Sequence, residues 1–272
     1  MGIIAAVAIK FASNFSKKFA SKEIFLFDLD GTLYLGRKVL PGAKSLVNKL
    51  HRLNKKVFYF TNNSSRSDAQ YVRKLRKMGF PCEASQIVMS THTLIRGLKS
   101  KGLKRVYCLG TPAMKSMLKR SRIIHTSVKP QAVVVGFDKT LTYSKLLFAS
   151  RLIDKGVPYF VAHPDFFCPT DRGPEPDCGS IALLLEKTCR KKPIAVYGKP
   201  HPWMIDEVIR RQKCSRSKMI LIGDRLQTDI LMAKASRIQS LLVLSGETKR
   251  KDLKASKLRP DFVLRSVAEI LL

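Results

Sequence analysis

The chain has 272 residues, 45% hydrophobic and 8% aromatic, which is enough to bury a sizeable core and excludes a disordered protein. Fifty-one Lys and Arg against 20 Asp and Glu leave a formal net charge of +31, a value usually met in proteins that live beside polyanions. Cys82, Cys108, Cys168, Cys178, Cys189 and Cys214 form no Cys-x-x-Cys pair, so neither a zinc site nor a disulfide framework is indicated and a reducing compartment is expected.

The first 22 residues carry no acid and hold Lys10, Lys17, Lys18 and Lys22 among Ala, Ser and Phe. Residues 1–23 are read as a basic segment forming a first helix on the core of a cytoplasmic protein, with a mitochondrial presequence as the alternative. The apolar stretch from Ile3 to Ile9 is too short to cross a bilayer, and Ala6 stands where myristoylation wants Ser or Thr, so no membrane partner is expected.

Ile24-Phe25-Leu26-Phe27 then reads as a buried strand that delivers Asp28-Leu29-Asp30-Gly31-Thr32 at its end. Two carboxylates emerging together suit phosphoryl transfer: one attacks phosphorus, the other manages the proton, and both favour a hard cation. A calcium loop is excluded, because Thr32 and Leu33 occupy the positions where it needs an acid and a glycine.

A helix follows over Ala43 to Leu53, opened by Pro41-Gly42, and then a strand over Lys56 to Phe60 that ends in Thr61-Asn62-Asn63-Ser64. The next helix is expected from Asp68 to Met78, stopped by Gly79, with Ser64 and Ser65 as its caps. Thr61 and the backbone at Asn62 are expected at the start of that helix, where free N–H groups favour phosphate. Gly97 to Gly102 resembles a P-loop, yet Leu103 occupies the required Lys position.

Strands over Arg105 to Leu109, Ala132 to Gly136 and Tyr159 to Ala162, with a helix over Tyr143 to Lys155, mark residues 104–192 as a second α/β domain inserted into the first. From Glu83 to Asp138 no acid interrupts the basic residues, which makes this stretch the best address for a polyanion. Beyond it, Ile194 to Tyr197 leads to Gly198-Lys199-Pro200, Met219 to Ile222 leads to Gly223-Asp224, and Leu241 to Leu244 leads to Ser245-Gly246. The alternation of strand, polar loop and helix predicts the α/β class: a doubly wound parallel sheet with an inserted α/β domain. Ligands in such sheets bind beyond the carboxyl ends of the strands, and all four polar clusters are expected along that one edge.

Asp28 to Leu33, Thr61-Asn62-Asn63-Ser64, Gly198-Lys199-Pro200 and Gly223-Asp224-Arg225-Leu226-Gln227-Thr228-Asp229-Ile230 resemble, in order, the four motifs of the haloacid dehalogenase (HAD) phosphatase superfamily. The closer likeness is to its NagD-type branch of 4-nitrophenylphosphatase-like and sugar-phosphatase-like enzymes, and it runs from Ile24 through Leu242-Val243-Leu244-Ser245-Gly246. The resemblance implies a Rossmann-like core over 24–103 and 193–272, and a substrate-selecting cap over 104–192. It implies that Asp28 is the nucleophile and Asp30 the acid and base, with Mg²⁺ held by Asp28, the Asp30 carbonyl and Asp224, and Asp229 orienting those ligands. Thr61, Asn62 and Asn63 would then hold phosphate while Lys199 neutralises its oxygens.

The cap loop reads His163-Pro164-Asp165-Phe166-Phe167-Cys168-Pro169-Thr170, and His163, Asp165 and Cys168 are the candidates for substrate contact. Many relatives carry Thr-Asn where this chain has Ala162-His163, Pro-Gly where it has Pro176-Asp177, and Gly near Ser236-Arg237. The expected activity is Mg²⁺-dependent hydrolysis of small phosphomonoesters, of the sugar phosphate, phosphoglycolate, nucleotide or p-nitrophenyl phosphate class, through an aspartyl phosphate. The expected partners are that ester, nucleic acid through charge alone, and a second copy through the cap. The alternative, from the net charge, is a nucleic-acid-binding protein on the same scaffold; the acids retained in an acid-poor chain speak against it.

Overall fold

The computed structural model describes residues 19–170 and 172–270, so residues 1–18 of the helix or presequence expected over 1–23 lie outside the described residues. The described chain forms two compact units. One takes in the chain up to Phe60, Leu75–Gln86 and everything from Val208 onward; the other takes in Thr61–Lys74 and Ile87–Glu207.

In the first unit the strands stand in the order Phe262–Leu264, Gln239–Val243, Met219–Gly223, Ile24–Asp28 and Lys56–Thr61, every pair parallel. All five residues of Ile24–Asp28 are buried, as an unbroken Ile-Phe-Leu-Phe run requires when both faces of a sheet are covered. Its register sets Phe27 beside Tyr59 on one side and Ile222 on the other. Parallel pairing brings the carboxyl ends to one edge, so Asp28 and Gly223-Asp224 emerge together. The helix Ala43–Arg52 buries Ala43, Leu46, Val47 and Leu50 at helical spacing. Before the sheet begins, Phe19 is fully buried and its ring lies 4.9 Å from that of Phe25.

The second unit has its own parallel sheet, in the order Ala195–Val196, Tyr159–Val161, Ala132–Val135, Arg105–Leu109 and Ile124–His125. An antiparallel hairpin pairs Phe167–Thr170 with Gly173–Pro176. Helices Pro112–Arg120, Tyr143–Asp154 and Cys178–Cys189 connect the strands. Thr111, Thr142 and Asp177 cap them, each side chain accepting a backbone N–H of the first turn.

Two expectations are corrected. The strand leading to Lys199 is not part of the first sheet: Ala195 and Val196 pair with Phe160 and Val161, so the polar clusters do not all stand on one sheet edge. The strand has only two residues, both half-buried, and pairing rather than local pattern decides its sheet. Nor do Thr61 and Asn62 start a helix. Thr61 ends its strand, and the helix Asp68–Lys77 begins seven residues later. Ser67, not Ser64 or Ser65, caps that helix: its hydroxyl accepts from Gln70 N while Gln70 Oε1 accepts from Ser67 N. Among the described residues no helix is long and apolar enough to cross a membrane.

Candidate active site

Asp28, Asp224 and Asp229 belong to the first unit, and each offers a carboxylate oxygen within 4.8 Å of the others. They are 8%, 2% and 0% exposed, so their charges are not screened by bulk water. Asp28 is the last residue of its strand, and Thr32 Oγ1 donates to its Oδ2 at 3.4 Å. Asp30, the expected acid and base, is half-buried in the tight turn where it bridges to Tyr34.

The backbone is shaped around Asp224. Gly31 has φ 91°, and a methyl group on it would fall 2.3 Å from Asp224 Oδ2, while one on Gly246 would fall 1.9 Å from the same oxygen. Glu247 N donates to that Oδ2 at 2.6 Å, and Ser245 Oγ ties the two glycine segments by donating to Gly31 O at 2.7 Å. Asp229 reaches the cluster from a π-helical turn, Leu226–Ile230, whose wide winding turns the side chain back so that Oδ2 accepts from Arg225 N at 3.2 Å. Gly223 makes room for it, since a methyl group there would lie 2.4 Å from Asp229 Cβ.

Thr61, Asn62, Asn63, Lys199, His163, Asp165 and Cys168 all belong to the second unit. Asn62 is its organising residue. Its Oδ1 accepts from Lys199 N at 2.7 Å, and its Nδ2 donates to Lys199 O at 3.1 Å and to the Asp165 carboxylate at 3.1 and 3.2 Å. Ser90 Oγ fixes the Asn62 carbonyl by donating to it at 2.6 Å. One amide thus clamps both backbone groups of Lys199, which is itself 3% exposed. Gly198, at φ 75°, lets the chain pass: a methyl group there would meet Asn62 Oδ1 at 2.5 Å. Thr61 Oγ1 accepts from Asn63 N at 3.1 Å, and Asn63 Nδ2 lies 3.9 Å from Cys168 Sγ.

His163 is fully buried. Its Nδ1 faces Asp165 Oδ2 at 3.6 Å, whereas Nε2 faces Asp177 Oδ1 at 3.5 Å and Ser64 Oγ at 3.2 Å. The carboxylates address different ring nitrogens, an arrangement that braces the ring rather than pointing three donors at one ion. His201 stacks on Trp203 at 4.8 Å, a packing role. Sequence reasoning did not find Ser64, Ser90 or Asp177 as supports, and only Asp177 has a local signal, an acid ahead of a helix. Burial pushes the Cys108 thiol up to about 12, so the neutral form persists there.

Comparison with known proteins matches residues 25–123 to a haloacid dehalogenase-like hydrolase family and residues 196–270 to a HAD-hydrolase-like one. The crystal structure of a 4-nitrophenylphosphatase from Thermotoga maritima is 39% identical, covers 93% of this chain and 97% of its own, and superposes with a TM-score of 0.89. A glycerol phosphate phosphatase from Mycobacterium tuberculosis, solved in complex with magnesium, is 28% identical with a TM-score of 0.85, over 94% of this chain and 77% of its own. Ribonucleotide monophosphatase NagD of Escherichia coli K12 is 27% identical over 243 residues, 89% of this chain and 96% of its own. The spacing of the four motifs, the parallel sheet that delivers Asp28 and Asp224, and this likeness over nearly the whole length agree: the chain belongs to the haloacid dehalogenase-like hydrolases, as a phosphatase of their NagD-like branch.

Proposed function

We propose that the protein is a Mg²⁺-dependent phosphomonoesterase that hydrolyses small phosphate esters through a phosphorylated Asp28. The observation that carries this is the buried meeting of Asp28, Asp224 and Asp229 at the carboxyl ends of adjacent strands. Three like charges this close and this dry repel one another unless a cation offsets them, and an all-oxygen donor set suits a hard divalent ion. Asp28 and Asp224 would hold Mg²⁺ with the Asp30 carbonyl, and Asp229 would steady them. When bound, the ion supplies charge neutralisation that lets an anionic carboxylate approach an anionic ester.

Asp28 attacks phosphorus in line with the ester oxygen; the P–O bond to the alcohol breaks, and Asp30 delivers a proton to the departing oxygen. Asp30, now a base, takes a proton from water, whose oxygen attacks the acyl phosphate and returns Asp28 as a free carboxylate. Lys199 neutralises charge on the transferring oxygens, and the Asn62 clamp fixes where its backbone stands. Small esters of the kinds handled by the named relatives, nitrophenyl, glycerol and nucleoside phosphates, are the expected substrates. Purified protein with Mg²⁺ is expected to release 4-nitrophenol from 4-nitrophenyl phosphate, and chelation to stop it. Undiminished turnover by Asp28→Asn would remove Asp28 from the chemistry.

A further inference from the structure

We propose that the strand-entry edge of the second unit's sheet is a docking surface for the phosphate backbone of a nucleic acid. The five strands of that sheet are parallel, so their first residues share one edge and their last residues the other. The segments carrying His163, Asp165 and Lys199 leave from strand ends, which keeps the entry edge apart from them.

Every strand is entered through a basic residue. Lys104 and Arg105 open one; Arg122 stands two residues ahead of Ile124–His125, and Lys129 three ahead of Ala132–Val135. Lys155 precedes Tyr159–Val161 by four residues, and Lys192 precedes Ala195–Val196 by three. All six are exposed. None of the six is ion-paired among the described residues. At ~4.8 Å between strands, the row extends over roughly 19 Å.

Cations near helix C-termini complement the dipole, which explains Lys155, the C-cap of Tyr143–Asp154. It does not explain Lys104, Lys129 or Lys192, which stand beyond the helices. Arg122 and Lys129 moreover hold φ of 63° and 44°, as does Arg190 nearby at 53°, a region where glycine is the less strained choice. From Glu83 to Asp138 no acid interrupts the stretch that carries Lys104, Arg105, Arg122 and Lys129, and the exposed Asp154 adjoins Lys155 alone. A line of cations without acidic partners and with no Phe, Tyr or Trp among them recognises phosphates and not bases, so the binding is independent of sequence. A membrane surface would want an apolar face beneath the cations, and the strand entries offer three separate exposed side chains, Ile124, Val128 and Ile194.

Fluorescence anisotropy with a labelled 20-base-pair DNA duplex tests this on the full chain. At physiological salt the expected dissociation constant is about 10⁻⁷ M or lower, below the ~10⁻⁴ to 10⁻⁶ M of non-specific binding, with a log–log salt slope of about −4 to −5 for five phosphates contacted. Lys104→Glu, Arg122→Glu, Lys129→Glu and Lys192→Glu together should weaken binding at least about 30-fold. A control with the same net charge, Lys77→Glu, Lys213→Glu, Lys251→Glu and Lys257→Glu in the first unit, should change it less than about 3-fold. Circular dichroism melts verify folding, and the matching Lys/Arg→Gln set replaces any reversal set that does not fold. Equal losses in both sets, or no binding, would overturn the proposal. So would edge-dependent binding to phosphatidylcholine–phosphatidylserine vesicles without duplex binding.

Discussion

The two units prepare their functional residues by opposite means. In the first, Asp28, Asp224 and Asp229 are brought together mainly by the course of the backbone: parallel strands end beside one another, and Gly31, Gly223 and Gly246 clear the space that side chains would fill. In the second, Lys199 follows a two-residue strand and is held by a side-chain brace in which Asn62 grips its N–H and its carbonyl. Close acids define the first, whereas hydrogen-bond satisfaction governs the second. Under the proposed mechanism, the chemistry depends on identity of charge in one unit and on geometry in the other.

The largest expected effect follows from that division. Asp28→Asn keeps the shape and removes the nucleophile, and turnover of 4-nitrophenyl phosphate should fall on the order of 10⁴-fold or more. Asn62→Ala leaves every acid in place but frees the backbone of Lys199; kcat/KM should drop roughly 100-fold in steady-state assays, with a rise in KM for the ester. Were Asn62→Ala as inactive as Asp28→Asn, the contrast between identity and geometry would fail.

Gly246→Ala tests the first unit's dependence on backbone room. Its methyl group must displace Asp224 Oδ2, so the Mg²⁺ concentration for half-maximal activity should rise on the order of 10- to 100-fold. The smallest effect concerns stability. His92 first, and Arg120 with it, hold the Asp68 carboxyl well below the usual carboxylate range. A depressed folded-state value stabilises above the unfolded value of about 3.9 and is lost as pH falls below it. Asp68→Asn should therefore melt earlier than the parent at neutral pH, with the difference closing as the melts are taken to lower pH below about 4.

The first unit was the more legible from sequence because its signals are local. Ile24 to Phe27 and Met219 to Ile222 are unbroken apolar runs, and their acids follow directly. The second unit's brace is not local: Asn62 finds Asp165 and Lys199 across 103 and 137 residues, and no spacing rule reaches that far. The sheet that Ala195–Val196 joins is not legible either, because a half-buried pair of residues carries no pattern of its own. The hairpin Phe167–Thr170 with Gly173–Pro176 was invisible for another reason, since Pro169, Pro174 and Pro176 argue against strands. Arg237 shows the reverse: where the resemblance leads one to expect glycine, this chain forms the turn with φ 54° on an arginine, and the helix before it still closes through Arg237 N to Lys234 O.

Asp28 as the atom that accepts phosphorus is best tested by trapping the acyl phosphate. Protein quenched during turnover of 4-nitrophenyl phosphate is reduced with borohydride, which converts a phosphorylated aspartate to homoserine, and digested for mass spectrometry. Homoserine at position 28, absent without substrate, is the predicted result. Homoserine at Asp30, Asp224 or Asp229 instead, or none in protein that turns over normally, would contradict it.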